Sequence, residues 1–338
     1  MSGGVLLEVE GLRTLIGQGP GAVRAVDGVG FRIRRGEAYA LVGESGCGKS
    51  MTALSILGLV PRPAARIVEG SVRLDGTDLL RLPERELRRV RGRRIGMVFQ
   101  EPQTALNPVL SVETQIGEAL TRHLGLRGRA RRERVLALLR EVGIPDPERR
   151  LREYPHQLSG GMKQRVVIAM AIACDPDLVI ADEPTTALDV TLQAQVLELL
   201  RRERERRGMA LLLITHDLGV VAENADRVAV MYAGEIVEEA PRGRFFREPR
   251  HPYTRGLFEA LPDRRKRARP LAAIPGSVPS LAAPPPGCRF APRCALADAR
   301  CRAEAPGWTE LGEGHRVRCH AVAGGRAAAP AAPPPPRR

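Results

Sequence analysis

Long apolar runs are missing. No stretch of the 338-residue chain approaches the ~18 consecutive apolar residues that a bilayer-spanning helix needs, and a β-like run such as Ala210 to Ile214 has only the length of a core strand. An integral membrane protein is therefore not expected. The opening MSGGVLLEVEG lacks the basic and apolar segments of a secretory signal, which argues against a secreted protein. Aromatic residues are scarce at 3%, yet hydrophobic residues reach 43% and charged residues 27%, the balance of a globular rather than a disordered or fibrous chain. Lysine is nearly absent. Of 53 basic residues only Lys49, Lys163 and Lys266 are lysines, so arginine carries the formal charge of +14 beside abundant Ala, Gly and Pro. Such a bias follows from a GC-rich coding sequence without a functional demand. In Arg129 to Arg134 and Arg201 to Arg207 acidic residues interleave, as on solvated faces, and no nucleic-acid partner is expected.

Up to about residue 245, short β-like runs alternate with amphipathic helical stretches, which predicts an α/β domain. Ala38 to Val42 is an apolar run that ends in a Gly-rich loop, and a helix is expected from Met51 to Val60, stopping at Pro61. Ile95 to Phe99, Leu178 to Ala181 and Leu211 to Ile214 read as further strands. Their polar ends are the places to look for ligands, because parallel α/β sheets bind at the carboxyl ends of strands. From about 100 to 165 helical periodicity replaces the strand signal, predicting a helical subdomain. Residues 191–207 read as a helix capped by Gly208, and Val228 to Ala240 as a hairpin turning at Ala233-Gly234. Beyond 245 prolines become frequent and four cysteines follow, so a small extension is expected over 246–322 and a disordered tail over 323–338.

Gly43-Glu44-Ser45-Gly46-Cys47-Gly48-Lys49-Ser50, followed by Met51, fits a phosphate-binding loop between a strand and a helix. Its glycines let backbone N–H groups face phosphate oxygens, and the helix adds its positive N-terminal end. Lys49 would reach the β- and γ-phosphates, and the Ser50 hydroxyl would ligate Mg²⁺. The strand ending in Asp182-Glu183 would bring Asp182 to the metal shell and Glu183 toward the γ-phosphate, where a carboxylate can take a proton from water. Ser159-Gly160-Gly161, upstream of that strand, opens a helical stretch from Met162 to Cys174 and forms an N-terminus able to bind an anion. Cys288, Cys294, Cys301 and Cys319 follow C-x5-C-x6-C-x17-C, without the close C-x2-C pairs of ordinary zinc fingers. In a reducing compartment four such thiols could hold a [4Fe–4S] cluster or zinc, or remain free. His315 and His320 are substitute ligands, and Cys47 and Cys174 read as structural.

The placement of Leu158-Ser159-Gly160-Gly161-Met162-Lys163-Gln164-Arg165 resembles the signature motif of ATP-binding cassette (ABC) ATPases. Gln100 after a strand, Ala187-Leu188-Asp189 after Glu183, and His216 after the 211–214 strand complete the order of that family's motifs. Within the family the chain looks closest to the ATPase subunits of dipeptide, oligopeptide and nickel importers. Val98 to Pro108 resembles their glutamine-loop segment, while His251-Pro252-Tyr253-Thr254 and the distal cysteines resemble their carboxy-terminal extension. The resemblance implies a P-loop NTPase cassette over 1–245 with ATP and Mg²⁺ at the site, and with Glu183, His216 and Gln100 as catalytic residues. Gln100 would touch the metal and the attacking water. It also implies ATP sandwiched between the Gly43–Ser50 loop of one subunit and the Ser159-Gly160-Gly161 segment of another. The Met162 type of signature points to the first of two different paired ATPases, which predicts a heterodimer. Two membrane-spanning permease subunits and an extracytoplasmic binding protein would complete the importer, with this chain peripheral on the cytoplasmic face of the membrane. The resemblance favours the [4Fe–4S] reading of the cysteines. The alternative function is a soluble ABC ATPase acting on DNA or ribosomes, but one cassette without a long coiled-coil insertion argues against it. The stretch Gly21 to Val26 carries no aromatic residue to stack on adenine, so Val23 would offer the base only apolar contact.

Overall fold

The computed structural model describes residues 4–19, 21–186, 188–260 and 274–326. The expected Ala187 position, the whole Pro262–Pro270 stretch with Lys266, and the tail from 327 lie outside the described residues. The chain folds into two compact units and visits each of them more than once. One comprises residues up to Glu8, Arg32–Ala38 and Val72–Thr215; the other comprises Val9–Phe31, Tyr39–Ser71 and the chain from His216 onward. This division does not follow the expected boundary at 245, because the phosphate loop and the carboxy-terminal extension belong to the same unit.

In the first unit, strands Ile95–Val98, Leu178–Asp182 and Ala210–Thr215 run parallel, with Ile95 opposite Leu178 and Leu178 opposite Ala210. Every residue of the last two strands is buried, which is why their sequences read as unbroken apolar runs rather than as alternation. Helices Val112–Leu124, Gly128–Glu141 and Gly160–Ile172 lie in sequence between the first two of these strands and form the expected helical segment. Ser111 caps the first by accepting from the Thr114 N–H, and Gly125 ends it at φ 69°. The helix Gly160–Ile172 sits hard against its strand, since a Cβ on Gly96 would collide with the Ala171 carbonyl. It starts and ends two residues earlier than the expected Met162 to Cys174. The helix Val190–Arg207 ends at Gly208, φ 63°, as its sequence predicts.

In the second unit, residues Tyr39 to Val42 pair in parallel with Arg227 to Val230. Strands Arg227–Tyr232 and Glu235–Pro241 form the expected hairpin, turning at Ala233-Gly234 with a bulge between Ile236 and Glu238. Short strands Arg316–Val317 and Thr309–Glu310 then extend this sheet from the extension itself. Its core joins Ala40, Val42, Val228, Val230 and Tyr232 to Phe245, Tyr253 and Phe290. Two expectations need correction here. The helix after the phosphate loop is Lys49–Ile56, not Met51 to Val60. Gly58, at φ 62°, closes it well before Pro61, with the Gly58 N–H on the Ser55 carbonyl and the Leu59 N–H on that of Leu54. The expected disordered tail also begins too early. Ala323 ends a helical turn, His320–Ala323, and the Arg326 N–H bonds to the Ala321 carbonyl.

Candidate active site

The phosphate loop in the second unit is shaped by close backbone approach. A Cβ on Gly43 would strike the Met231 carbonyl, and one on Gly48, at φ 108°, would strike the Ala25 carbonyl, so only glycine fits either place. The Gly234 N–H donates to the Cys47 carbonyl at 2.9 Å, which fastens the loop to the hairpin turn. Ser45 and Gly46 are exposed, Glu44, Ser50 and Met51 are half-buried, and Cys47 is fully buried. Burial pushes the Cys47 thiol up, against the pull of the neighbouring Lys49 ammonium, and keeps it an inert thiol. Lys49 opens the helix and is 5% exposed. Its Nζ donates to the Gly43 carbonyl at 2.9 Å and the Glu44 carbonyl at 3.1 Å, so the ammonium is held by the loop it belongs to. His216 begins this unit's second half and is exposed, immediately before the helix Leu218–Asn224, which Asp217 caps through the Gly219 and Val220 N–H groups.

In the first unit the Leu178–Asp182 strand delivers two carboxylates in succession. Asp182 is 4% exposed and Glu183 half-buried. Glu183 sits at φ 45°, a left-handed conformation unusual for a side-chain-bearing residue, and its N–H donates to the Ile214 carbonyl at 2.9 Å. Its Oε2 accepts from the Thr186 hydroxyl at 2.9 Å and from Gln100 Nε2 at 3.3 Å. The structure thus brings Gln100, exposed two residues past the Ile95–Val98 strand, to the Glu183 carboxylate. Ser159 and Gly160 are exposed and Gly161 is buried. The Ser159 hydroxyl accepts from the Met162 N–H at 3.3 Å and caps the helix. Gln164, one turn on, donates to the Pro184 carbonyl at 2.7 Å and ties this helix to the Glu183 turn. Ser50 and Asp182 supply hard oxygen donors of the kind Mg²⁺ takes.

Sequence reasoning missed Thr186, whose Thr-three-after-Glu spacing was a readable turn signal. It also missed the extension's grip on the phosphate loop, where the Glu44 N–H donates to the Tyr253 phenol oxygen at 2.9 Å.

The four distal cysteines do come together. Cys288, Cys294, Cys301 and Cys319 line one cavity of about 10 Å³, with His251, Phe290 and His320 also in its wall. That volume holds about one water molecule and no four-iron cube. Among the described residues, no group of three or more His, Cys, Asp or Glu side chains is placed to hold a metal ion. Burial pushes the Cys288 thiol up to about 12 and raises those of Cys294 and Cys319. As arranged, the four thiols pack around a small void rather than forming a ligand set. His315 is committed elsewhere, its Nε2 standing 2.8 Å from the buried Glu238 carboxylate.

The family model for the ABC transporter matches residues 26–186, and that for the oligopeptide/dipeptide transporter C-terminal region matches 237–301. The chain is 49% identical over 330 residues to the dipeptide transport ATP-binding protein DppD of Bacillus subtilis, a match covering 95% of this chain and 98% of that protein. The chain belongs to the ABC transporter ATP-binding proteins. It is an ABC ATPase of the branch that carries the oligopeptide/dipeptide carboxy-terminal region. Other relatives of this ABC ATPase include the oligopeptide transport ATP-binding protein AppD of Bacillus subtilis, 50% identical with 93% of this chain and 96% of that one covered. The dipeptide transport ATP-binding protein DppD of Escherichia coli is 49% identical, also with 93% and 96% covered. Among solved structures, the dimeric ATP-binding cassette MJ0796 in a post-hydrolysis state bound to ADP and Pi matches with a TM-score of 0.63 and 30% identity. That match covers 70% of this chain and 98% of that one.

Proposed function

We propose that this ABC ATPase hydrolyses ATP to drive uptake of peptides or related small solutes through a membrane importer, lying peripherally on the cytoplasmic face. Among the described residues no helix is long and apolar enough to cross a membrane, so the pore would come from two separate permease subunits, fed by an extracytoplasmic binding protein. The observation that carries the reading is the Glu183 carboxylate, held at a buried strand end by Thr186 and already within reach of Gln100. That is the arrangement a general base needs to take a proton from water.

In this reading the loop Gly43–Ser50 cradles the phosphates through its N–H groups, and Lys49 exchanges its two carbonyl partners for phosphate oxygens. Ser50 and Asp182 would hold Mg²⁺, which supplies charge neutralisation at the developing phosphate oxygens. Glu183 accepts the proton of the attacking water, Gln100 orients that water, and His216 contacts the γ-phosphate. Water oxygen bonds to the γ-phosphorus as the β–γ bridging bond breaks, leaving ADP and inorganic phosphate.

Each chain carries one phosphate loop and one exposed Ser159-Gly160 turn, so two ATPase subunits would meet head to tail with nucleotide closing the gap. The Met162 signature supports a second, different ATPase as the partner. The test is reconstitution. Turnover should rise when the second ATPase and the permease subunits are added to this chain, and rise further with loaded binding protein. A fully active homodimer indifferent to any membrane partner would overturn the importer reading.

The finer reading of the cysteines is a metal centre, [4Fe–4S] first and zinc second. Convergence of four thiols on one cavity supports it, although the side chains would have to open that cavity and lose their protons on loading. Anaerobically purified chain should then contain iron and acid-labile sulfide in cluster ratio. Zinc without iron would select the alternative, and neither metal would leave four structural thiols.

A further inference from the structure

The carboxy-terminal extension reaches the phosphate loop at Glu44. Beside the Tyr253 contact, Arg293 grips the Glu44 carboxylate with both arms of its guanidinium, Nη1 to Oε2 at 2.9 Å and Nη2 to Oε1 at 3.2 Å. The rest of that guanidinium is committed as well. Nε donates to the Pro275 carbonyl at 2.9 Å, Nη2 to the Ile274 carbonyl at 3.2 Å and Nη1 to the Tyr232 hydroxyl at 3.4 Å. All five N–H donors of an arginine are thereby used. The side chain is 5% exposed. The Tyr253 phenol is fixed in turn by an aromatic cluster, with ring centroids 4.6 Å from Tyr232 and 5.4 Å from Phe290. Glu44 is the residue whose carbonyl, together with that of Gly43, holds the Lys49 ammonium. These contacts meet on one residue: the extension takes its N–H and its carboxylate, while its carbonyl accepts from Lys49 and from the Cys47 N–H at 3.3 Å.

We propose that Arg293 and Tyr253 are positioning residues of the nucleotide site: by holding Glu44 they set the shape of the phosphate loop and the resting place of Lys49, so the extension tunes affinity for the nucleotide's phosphates. Neither residue touches the phosphate directly; both act through Glu44. A bidentate fork is needed because it fixes the orientation of a carboxylate as well as its distance, which a single ammonium does not. The proposal rests on ATP binding at this loop.

The full-length chain, titrated with ATP in the presence of Mg²⁺, tests both layers separately. If the wild-type chain shows no saturable ATP binding, the nucleotide reading itself fails. If it binds, Arg293→Ala should weaken ATP binding about 5-fold or more, the range of ordinary coupling between sites. Arg293→Lys should fall between, and Tyr253→Phe should weaken binding while keeping the ring packing. Arg300→Ala, at an exposed pair with Glu304 elsewhere in the extension, should bind as wild type. The deciding measurement is the cycle with Glu44→Ala. Once Glu44 lacks its carboxylate, adding Arg293→Ala should cost less than about 2-fold more, because both act through one contact. In the assembled transporter Arg293→Ala should raise KM for ATP and leave kcat nearly unchanged. Equal affinity in wild type and Arg293→Ala, or effects of the two substitutions that simply multiply, would overturn the proposal. Loss of affinity in Arg293→Ala that Arg293→Lys does not restore at all, with a matching fall in melting temperature, would likewise reduce Arg293 to a structural brace.

Discussion

The proposed function gives Glu183 and Lys49 distinct jobs that single substitutions separate. Glu183→Gln keeps the size of the side chain and an acceptor for Thr186, but removes the basic oxygen. Nucleotide affinity should persist while turnover falls by about 10²–10⁴-fold, the usual loss for a general base. Single-turnover hydrolysis in the assembled complex would measure it, and a near-normal rate would remove Glu183 from that role. Lys49→Ala should instead weaken nucleotide binding, seen directly in an ATP titration, because the loop loses its own ammonium. These residues were legible because the loop motif and the Asp-Glu pair each sit in one contiguous stretch. Thr186 was less so, since its hydroxyl matters only once Glu183 turns back at φ 45°.

Among the elements, the buried strands announced themselves as apolar runs, but helix ends depended on single residues. Gly58 ends the Lys49–Ile56 helix in a left-handed turn that satisfies the Ser55 and Leu54 carbonyls. Pro61 is the more conspicuous breaker in the sequence, yet the chain has already left the helix before reaching it. Gly58→Ala should destabilise the fold by roughly 1–2 kcal/mol, because alanine at positive φ is strained. A lowered thermal midpoint with secondary structure retained would report it, and an unchanged midpoint would show that the turn relaxes without cost. Gly208, by contrast, was readable as the stop of Val190–Arg207 because the helical pattern runs up to it without a competing signal.

At the scale of the whole molecule, the extension is not an appendage. Phe245, Tyr253 and Phe290 share a core with Ala40, Val42, Val230 and Tyr232, and burying large aromatic side chains contributes roughly 1.5–3 kcal/mol each. A chain truncated after residue 245 would lose Tyr253 and Phe290 and expose that core. It should aggregate or bind nucleotide poorly rather than behave as a free-standing cassette. Expression of residues 1–245 followed by size-exclusion chromatography and ATP titration checks this, and a monodisperse fragment with full affinity would restore the boundary that composition suggests. The compositional change at that point marks where prolines and cysteines begin, not where the packing ends.

What the sequence determined by itself is the local chemistry: a glycine loop with its lysine and serine, two acids at a strand end, a capped Ser-Gly-Gly helix start, and the order in which they occur. Each is written in a few adjacent residues, where backbone sterics and hydrogen bonding act over short range. Only the tertiary structure decided which distant residues serve that chemistry. Tyr253 and Arg293 meet Glu44 from 209 and 249 residues away, and the four cysteines converge from separate turns on a cavity too small for the cluster that the family resemblance favours. Contacts of that separation are set by how the core packs, and no local propensity or spacing encodes them.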